Sequence, residues 1–575
     1  MMEIQPLGRR EIGVSLIILT LLALVVRLPL IGQAPLMDEL YHLFAAKSWL
    51  AYGELTIADG LYTRAAAYTK AIAFGFGLFG EHIEVMRMIG VIAGALTTLV
   101  VFFWTRSAGG AVAAWIAALL FCLWPDGITV SVSHRFYPLH GLFFFLGAIS
   151  VYLIVVYRDD WALGWLIALG FGALGSFGVA LALQDTTLIG IAGVFLWVML
   201  GTGLPWLLSL SPDRRWLALL AMGTLGAGVL VLLAFGGAGA VLLDAFRWTP
   251  DWAASTRNQF WFYHGLLTLY YPTLWSVTGL AVIIAMAYRP VLTGFCLAIF
   301  VPAFILHSLG GMKHYRYLYY VMPFLFVIWS VAIAHLIERF WPFLKEAADR
   351  TLEALLPTLP RRPLRNALLA SALLFTLFAN AASIKTLALL AGVTIPPMTK
   401  PPAWDVAHQE LQPWLEDAII LTTSEMETLY AFDRYDMLIS NSRMSELRRR
   451  DALGDVGEFS LDERTGRPVI SEPGSVQLIL DCYPKGVIVS NVYRWRFGPQ
   501  LDDEVADLIE ASTIPIELPK SSMITAYRWE NETNAGSPAC AELAALYPLP
   551  SLSETSELGA ESARLASDSA ATAEN

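Results

Sequence analysis

Stretches of about 20 apolar residues recur along the first 390 positions of this chain, joined by short polar connections. A hydrocarbon core of about 30 Å requires helices of that length, because lipid offers backbone groups no hydrogen-bond partner. The runs lie at 12–31, 84–104, 109–126, 138–157, 161–180, 187–209, 215–236, 264–287, 290–309, 316–337 and 366–391. They predict a polytopic α-helical membrane protein of about eleven spans. Only 15% of the 575 residues are charged and 56% are hydrophobic, whereas soluble domains carry about a quarter charged residues. The first run follows Arg9-Arg10 and is long for a signal-peptide core, so it reads as an uncleaved span.

Basic residues in short loops set the orientation. Arg9-Arg10, Arg106, Arg158, Arg214-Arg215, Arg289 and the segment from Arg339 to Arg365 alternate with loops poorer in bystander Lys and Arg. This places the N-terminus in the cytoplasm of an inner (plasma) membrane protein and everything after Lys400 on the far side. Three regions follow: a transmembrane module over 1–395, with a first extracytoplasmic loop over 33–83; a soluble α/β domain over 400–550; and a disordered tail over 551–575. In the loop, Asp38–Tyr52 and Tyr62–Phe79 read as helical; Glu338–Leu355 reads as an amphipathic surface helix cut near Pro342. The soluble region alternates strands (Ala418–Thr423, Met437–Ser440, Gly486–Ser490, Ile514–Leu518, Met523–Trp529) with helices (Glu425–Phe432, Asp502–Ala511). The net charge of −11 sits mostly after Lys400, and the clustered basic faces that nucleic acid requires are lacking. Cys122 and Cys296 fall in apolar runs; Cys482 and Cys540 can pair if their domain lies outside the cytoplasm. Asn531-Glu532-Thr533 matches a glycosylation sequon.

Chemistry gathers in the far-side loops. Pro35-Leu36-Met37-Asp38-Glu39-Leu40-Tyr41-His42 sets two adjacent carboxylates at a membrane exit. The structural reading is a helix N-cap; the functional one is a general base with a neighbour that positions a hydroxyl or a cation. Residues one apart on a helix point about 100° apart, so the two carboxylates do not share one task. His42 reads as a hydrogen-bonding neighbour and Asp59 as a further acidic member of the pocket. Far-side loops are normally poor in basic residues, yet Arg64, His134-Arg135-Phe136-Tyr137 and Lys313-His314-Tyr315-Arg316-Tyr317 lie there. Pairing with the acidic residues or with lipid headgroups explains them blandly. A phosphate held at the membrane surface explains them chemically, since Arg binds it as a fork and Lys as a point charge. A carboxylate beside distributed cations suits sugar transfer from a lipid phosphate: the base takes the acceptor's proton and the cations stabilise the leaving phosphate. The competing reading is a transporter or flippase of an anionic or lipid-linked substrate, which predicts mid-span charges and repeated halves.

Over about the first 340 residues the chain resembles the GT-C polytopic glycosyltransferases, in particular the bacterial group related to the lipid A aminoarabinose transferase and the protein O-mannosyltransferases. The resemblance rests on Arg27-Leu28-Pro29, then Pro35-Leu36-Met37-Asp38-Glu39, then Leu78-Phe79-Gly80 with Arg87, and on the His134–Tyr137 and Lys313–Tyr317 segments. It implies Asp38 as catalytic base and the Lys313–Arg316 cluster as facing the donor phosphate. Read from the residues themselves, Glu39 positions the acceptor or a cation, Arg64, Lys313 and Arg316 contact the donor phosphate, and His42, Asp59, His134, Arg135, Tyr137 and Tyr317 complete the pocket. The resemblance also implies an inverting enzyme whose donor is a polyprenyl-phosphate sugar and whose acceptor is a lipid, glycan or protein. The chain departs from the family at Thr63-Arg64-Ala65-Ala66-Ala67-Tyr68, where many relatives carry Lys-Pro-Pro-Leu. A divalent metal is compatible with the family, but no ligand set for one stands out in the sequence.

Overall fold

The computed structural model describes residues 9–133, 135–235, 246–355, 361–378, 380–393, 401–450, 458–530 and 537–547. The chain forms two compact units, Met1–Leu55 with Thr63–Lys400, and Thr56–Tyr62 with Pro401–Asn575. A short piece of the loop after the first helix, Thr56–Tyr62, therefore belongs to the C-terminal unit, a division that the sequence did not signal.

In the first unit, seven helices among the described residues are long and apolar enough to cross a membrane: Arg10–Leu30, Ile83–Gly109, Tyr137–Tyr157, Leu163–Leu183, Thr187–Ser209, Pro290–Leu309 and Met322–Leu355. Ala111–Cys122 and Pro125–Ser133, bent by 55°, add an eighth if taken as one broken span. The eleven apolar runs thus give fewer uninterrupted helices. The run at 264–287 is divided into Phe262–Tyr270, Pro272–Ser276 and Thr278–Tyr288. That at 366–391 breaks between Arg361–Phe378 and Ala381–Leu390, where Asn380 caps the Ser383 N–H. Hydropathy reports transfer into lipid; a proline or a capping side chain decides where the ladder stops. The reverse holds at Pro342, the expected cut. Met322–Leu355 runs through it as one 34-residue helix, and the carbonyl that loses its partner belongs to the exposed Glu338.

The first elements of this unit are α1 (Arg9–Val25), α2 (Met37–Tyr52), α3 (Ala66–Phe79), α4 (Ile83–Gly109), α5 (Ala111–Cys122), α6 (Pro125–Ser133) and α7 (Tyr137–Tyr157). Glycines set how closely they pack. A Cβ on Gly90 would stand 2.3 Å from the Ser131 carbonyl, and one on Gly94 2.6 Å from Ser131 Oγ. The Gly-x-x-x-Gly face of α4 thereby brings the backbone of α6 into contact, the close approach that small residues permit in lipid. Deeper in, Trp104 meets Phe145, Tyr152, Phe295 and Phe324 edge-on with ring centroids 5.5–6.1 Å apart. Buried Lys385 lies 3.7 Å from buried Asp126 and bonds the Tyr270 hydroxyl.

The C-terminal unit is a seven-stranded mixed sheet of order β5-β6-β4-β3-β7-β9-β8. Its strands are β3 (Ile419–Thr422), β4 (Met437–Ile439), β5 (Ser460–Leu461), β6 (Pro468–Ile470), β7 (Lys485–Asn491), β8 (Ile514–Ile516) and β9 (Ile524–Glu530). The four central strands are parallel and the edges antiparallel. Ile419, Leu421, Ile439, Ile470, Ile488 and Trp529 form its core. Strands buried on both faces read as continuous apolar runs, as Ile419–Thr422 does. The hairpin of β1 (Thr56–Ile57) and β2 (Gly60–Leu61) packs within this unit. The Asp59 and Leu61 N–H groups donate to the Thr465 and Glu463 carbonyls, and a Cβ on Gly466 would stand 2.6 Å from the Asp59 backbone. Cys482 and Cys540 are joined in a disulfide, with their Cα atoms 5.1 Å apart. The tail over 551–575 and the sequon at Asn531 lie outside the described residues.

Candidate active site

The acidic pair opens α2. Glu39 accepts the Leu36 N–H at 2.9 Å and so closes the helix start. Its other contacts come from 48 residues away: Arg87 Nε donates to Oε1 at 2.8 Å and Nη2 to Oε2 at 2.7 Å. The same guanidinium donates to the carbonyls of Ile31 and Gln33 at 2.7 and 2.6 Å. Both side chains are 1% exposed. This closed fork pins the 31–36 turn to the head of α4, and it leaves Glu39 out of reach of a bound molecule.

Asp38 has the opposite surroundings. Its side chain is 34% exposed, and Oδ2 receives Arg135 Nη2 at 2.6 Å and Arg316 Nη1 at 2.7 Å. Burial alone raises the pKa of Asp38, but the Arg135 and Arg316 guanidiniums, with Arg64 farther out, hold the carboxyl well below the usual carboxylate range. Arg64 is exposed, and its guanidinium lies 5.9 Å from the Phe136 ring centroid. Arg64 and Arg135 occupy tight turns ahead of α3 and α7: Ala65 has φ +47° and Arg135 itself +52°. Left-handed backbone at non-glycine residues costs energy and persists where the surroundings hold it.

Tyrosines wall the guanidiniums. Arg316 lies 5.4 Å from the Tyr137 ring centroid and 5.6 Å from that of Tyr317. Tyr317 Oη donates to Met312 Sδ at 3.1 Å. The buried Tyr137 hydroxyl has no hydrogen-bond partner among the described residues. His42 is fully buried, bonds Thr69 Oγ1 at 2.8 Å through Nδ1, and meets Tyr68 and Phe136 edge-on. Burial, then the nearby Arg135 and Arg64, lower its pKa well below the ordinary value, so the ring is neutral.

The fold thus gathers Asp38, Arg64, Arg135, Tyr137, Arg316 and Tyr317, with His42 behind them. Two members expected from sequence are placed elsewhere. Asp59 belongs to the C-terminal unit, where its carboxylate lies 3.2 Å from Arg467. Lys313 donates to the carbonyls of Arg257 at 2.9 Å and Gly310 at 2.7 Å, holding the loop that leads to Arg316. His134 lies outside the described residues. Arg87 was legible only as part of the family resemblance, and nothing in the sequence tied it to Glu39. As for a metal, no group of three or more His, Cys, Asp and Glu gathers among the described residues. The two carboxylates here are already engaged by guanidiniums, so this donor set does not fit a cation.

No family model matches the chain, and no curated protein matches it. Solved structures do. The apo crystal structure of ArnT from Cupriavidus metallidurans superposes with TM-score 0.58 at 14% identity, over 90% of this chain and 97% of that one. The same protein bound to undecaprenyl phosphate gives 0.52 at 14% identity, over 92% and 98%. The oligosaccharyltransferase AglB from Archaeoglobus fulgidus, in complex with an inhibitory peptide and a dolichol-phosphate, gives 0.54 at 13% identity, over 84% and 69%. The fold is that of the GT-C membrane glycosyltransferases.

Proposed function

We propose that the chain is an inverting glycosyltransferase that moves a sugar from a polyprenyl-phosphate donor to a hydroxyl on a lipid, glycan or protein. The observation that carries this reading is Asp38: a carboxylate one-third exposed just after the first span, bonded by Arg135 and Arg316 and with the Arg64 charge nearby. In support, two proteins of the same fold were solved with undecaprenyl phosphate and with a dolichol-phosphate. Asp38 takes the acceptor's proton as general base. The acceptor oxygen attacks the anomeric carbon opposite the phosphate, which inverts that centre. Arg64 and Arg316 face the donor phosphate and stabilise the charge it gains, while Arg135 and Tyr137 complete the pocket. Glu39 and Lys313 act by holding the loops that present these groups.

The site belongs outside the cytoplasm on this reading, because a lipid-linked donor needs no nucleotide supply. The Cys482–Cys540 disulfide supports the same side for the C-terminal unit, since such bonds persist in oxidising compartments. The transporter reading draws on the buried Asp126–Lys385 pair, as intramembrane charges often mark a substrate path. Radiolabel transfer from a panel of polyprenyl-phosphate sugars separates the two. Wild type transfers or hydrolyses one donor, and Asp38→Asn loses about 10²–10⁴-fold in rate at equal folding, the range for a positioned base. Equal turnover by both proteins removes Asp38 from the mechanism.

A further inference from the structure

A carboxylate held by two guanidiniums is a weak base, yet the reaction asks this one to accept a proton. Both arginines bond the same oxygen, Oδ2, and Oδ1 receives no hydrogen bond among the described residues. The other charged and titratable groups around it are committed or distant. On α2, Glu39 is closed on Arg87 and His42 is bonded to Thr69. From the turn before α3, the Arg64 charge also favours the carboxylate. From the turn before Tyr315–Leu318, Lys313 is spent on two carbonyls. His134 lies outside the described residues. The charge state of Asp38 is therefore set by where Arg135 and Arg316 go.

We propose that Arg135 and Arg316 are shared between the base and the leaving group, passing from Asp38 to the donor phosphate in the step in which Asp38 takes the acceptor's proton. This rests on the glycosyltransferase reading and adds a coupling to it. The acceptor O–H breaks and its proton goes to Asp38, while the acceptor oxygen bonds the anomeric carbon. The bond from that carbon to the phosphate oxygen breaks with its electron pair on the oxygen. The phosphodiester monoanion becomes a phosphomonoester dianion as the carboxylate becomes neutral. The charge facing the two guanidiniums is the same before and after, so none is created or lost in a site of low dielectric. The Asp38 carboxylate then holds the arginines in place until phosphate claims them.

The product complex offers a test without turnover. Undecaprenyl phosphate is titrated into the full-length protein in detergent or nanodiscs at about pH 7, where a phosphomonoester is mostly dianionic. Proton exchange is read calorimetrically in buffers of different ionisation enthalpy. Wild type is expected to take up close to one proton per lipid bound, and Asp38→Asn none. Arg316→Lys, which keeps the charge but loses the fork, binds more weakly and retains the uptake. Binding by wild type with no proton uptake overturns the sharing and leaves the donor-phosphate reading standing. No binding by folded wild type overturns both.

Discussion

Asp38 and Glu39 are neighbours in the chain with opposite fates, and the helix accounts for it. A step of one residue turns a side chain by about 100°. Glu39 therefore faces inward to Arg87 while Asp38 meets Arg135 and Arg316. Removing one partner of a buried ion pair strands the other charge, at about 3–5 kcal/mol. Arg87→Ala is thus expected to lower the melting temperature of the detergent-solubilised protein markedly, and by more than Asp38→Asn, whose side chain is one-third exposed and keeps an amide oxygen to accept from Arg135 and Arg316. Equal melting of all three proteins would contradict the structural role of the Glu39 fork. The sequence displayed both carboxylates and marked Asp38 as the base, but it assigned Glu39 a task at the substrate. Its true partner is 48 positions away, and no local pattern announces a contact of that range.

At the scale of elements, helix starts in the tail and first loop were legible within a few residues because caps and apolar periods are local. Glu425–Phe432 and Asp503–Ser512 lie where the sequence put them. Breaks inside apolar runs were not, since a run that suits lipid can hold a straight helix or a broken one. The packing of α4 on α6 is the element on which the site depends, because α6 leads into the turn that carries Arg135. A Val at Gly90 would drive a side chain into the Ser131 carbonyl, 2.3 Å from its Cβ. Gly90→Val is expected to abolish activity and most of the folded yield, while Val at Gly164, which has nothing within 4 Å, is tolerated. Size-exclusion profiles of the two variants make the comparison, and a monodisperse Gly90→Val protein would refute the close approach.

At the scale of the whole molecule, the C-terminal unit carries a staple across 58 residues. Closing a loop of that length removes unfolded-state entropy equivalent to about 4 kcal/mol in the chain-entropy model. Cys482→Ser is expected to lower the unfolding temperature of the full-length protein and leave Cys540 open to maleimide. In wild type taken from membranes, neither cysteine should react until a reductant is added. Labelling of both without reductant would place the unit in a reducing compartment and undo the far-side assignment.

Composition and hydrophobic run length by themselves determined that this chain is a helical membrane protein with a soluble α/β unit at its end, because burial in lipid acts on every residue independently. Short motifs in order were enough to mark Asp38, Arg64, Arg135 and Arg316 as one candidate site. Only the tertiary structure decided which charges meet. It sent Arg87 to Glu39, two arginines to a single oxygen of Asp38, and Asp59 to Arg467 in the C-terminal unit. The physical reason is range: propensity and hydropathy are written over a few residues, whereas an ion pair depends on where helices far apart in the chain are brought together.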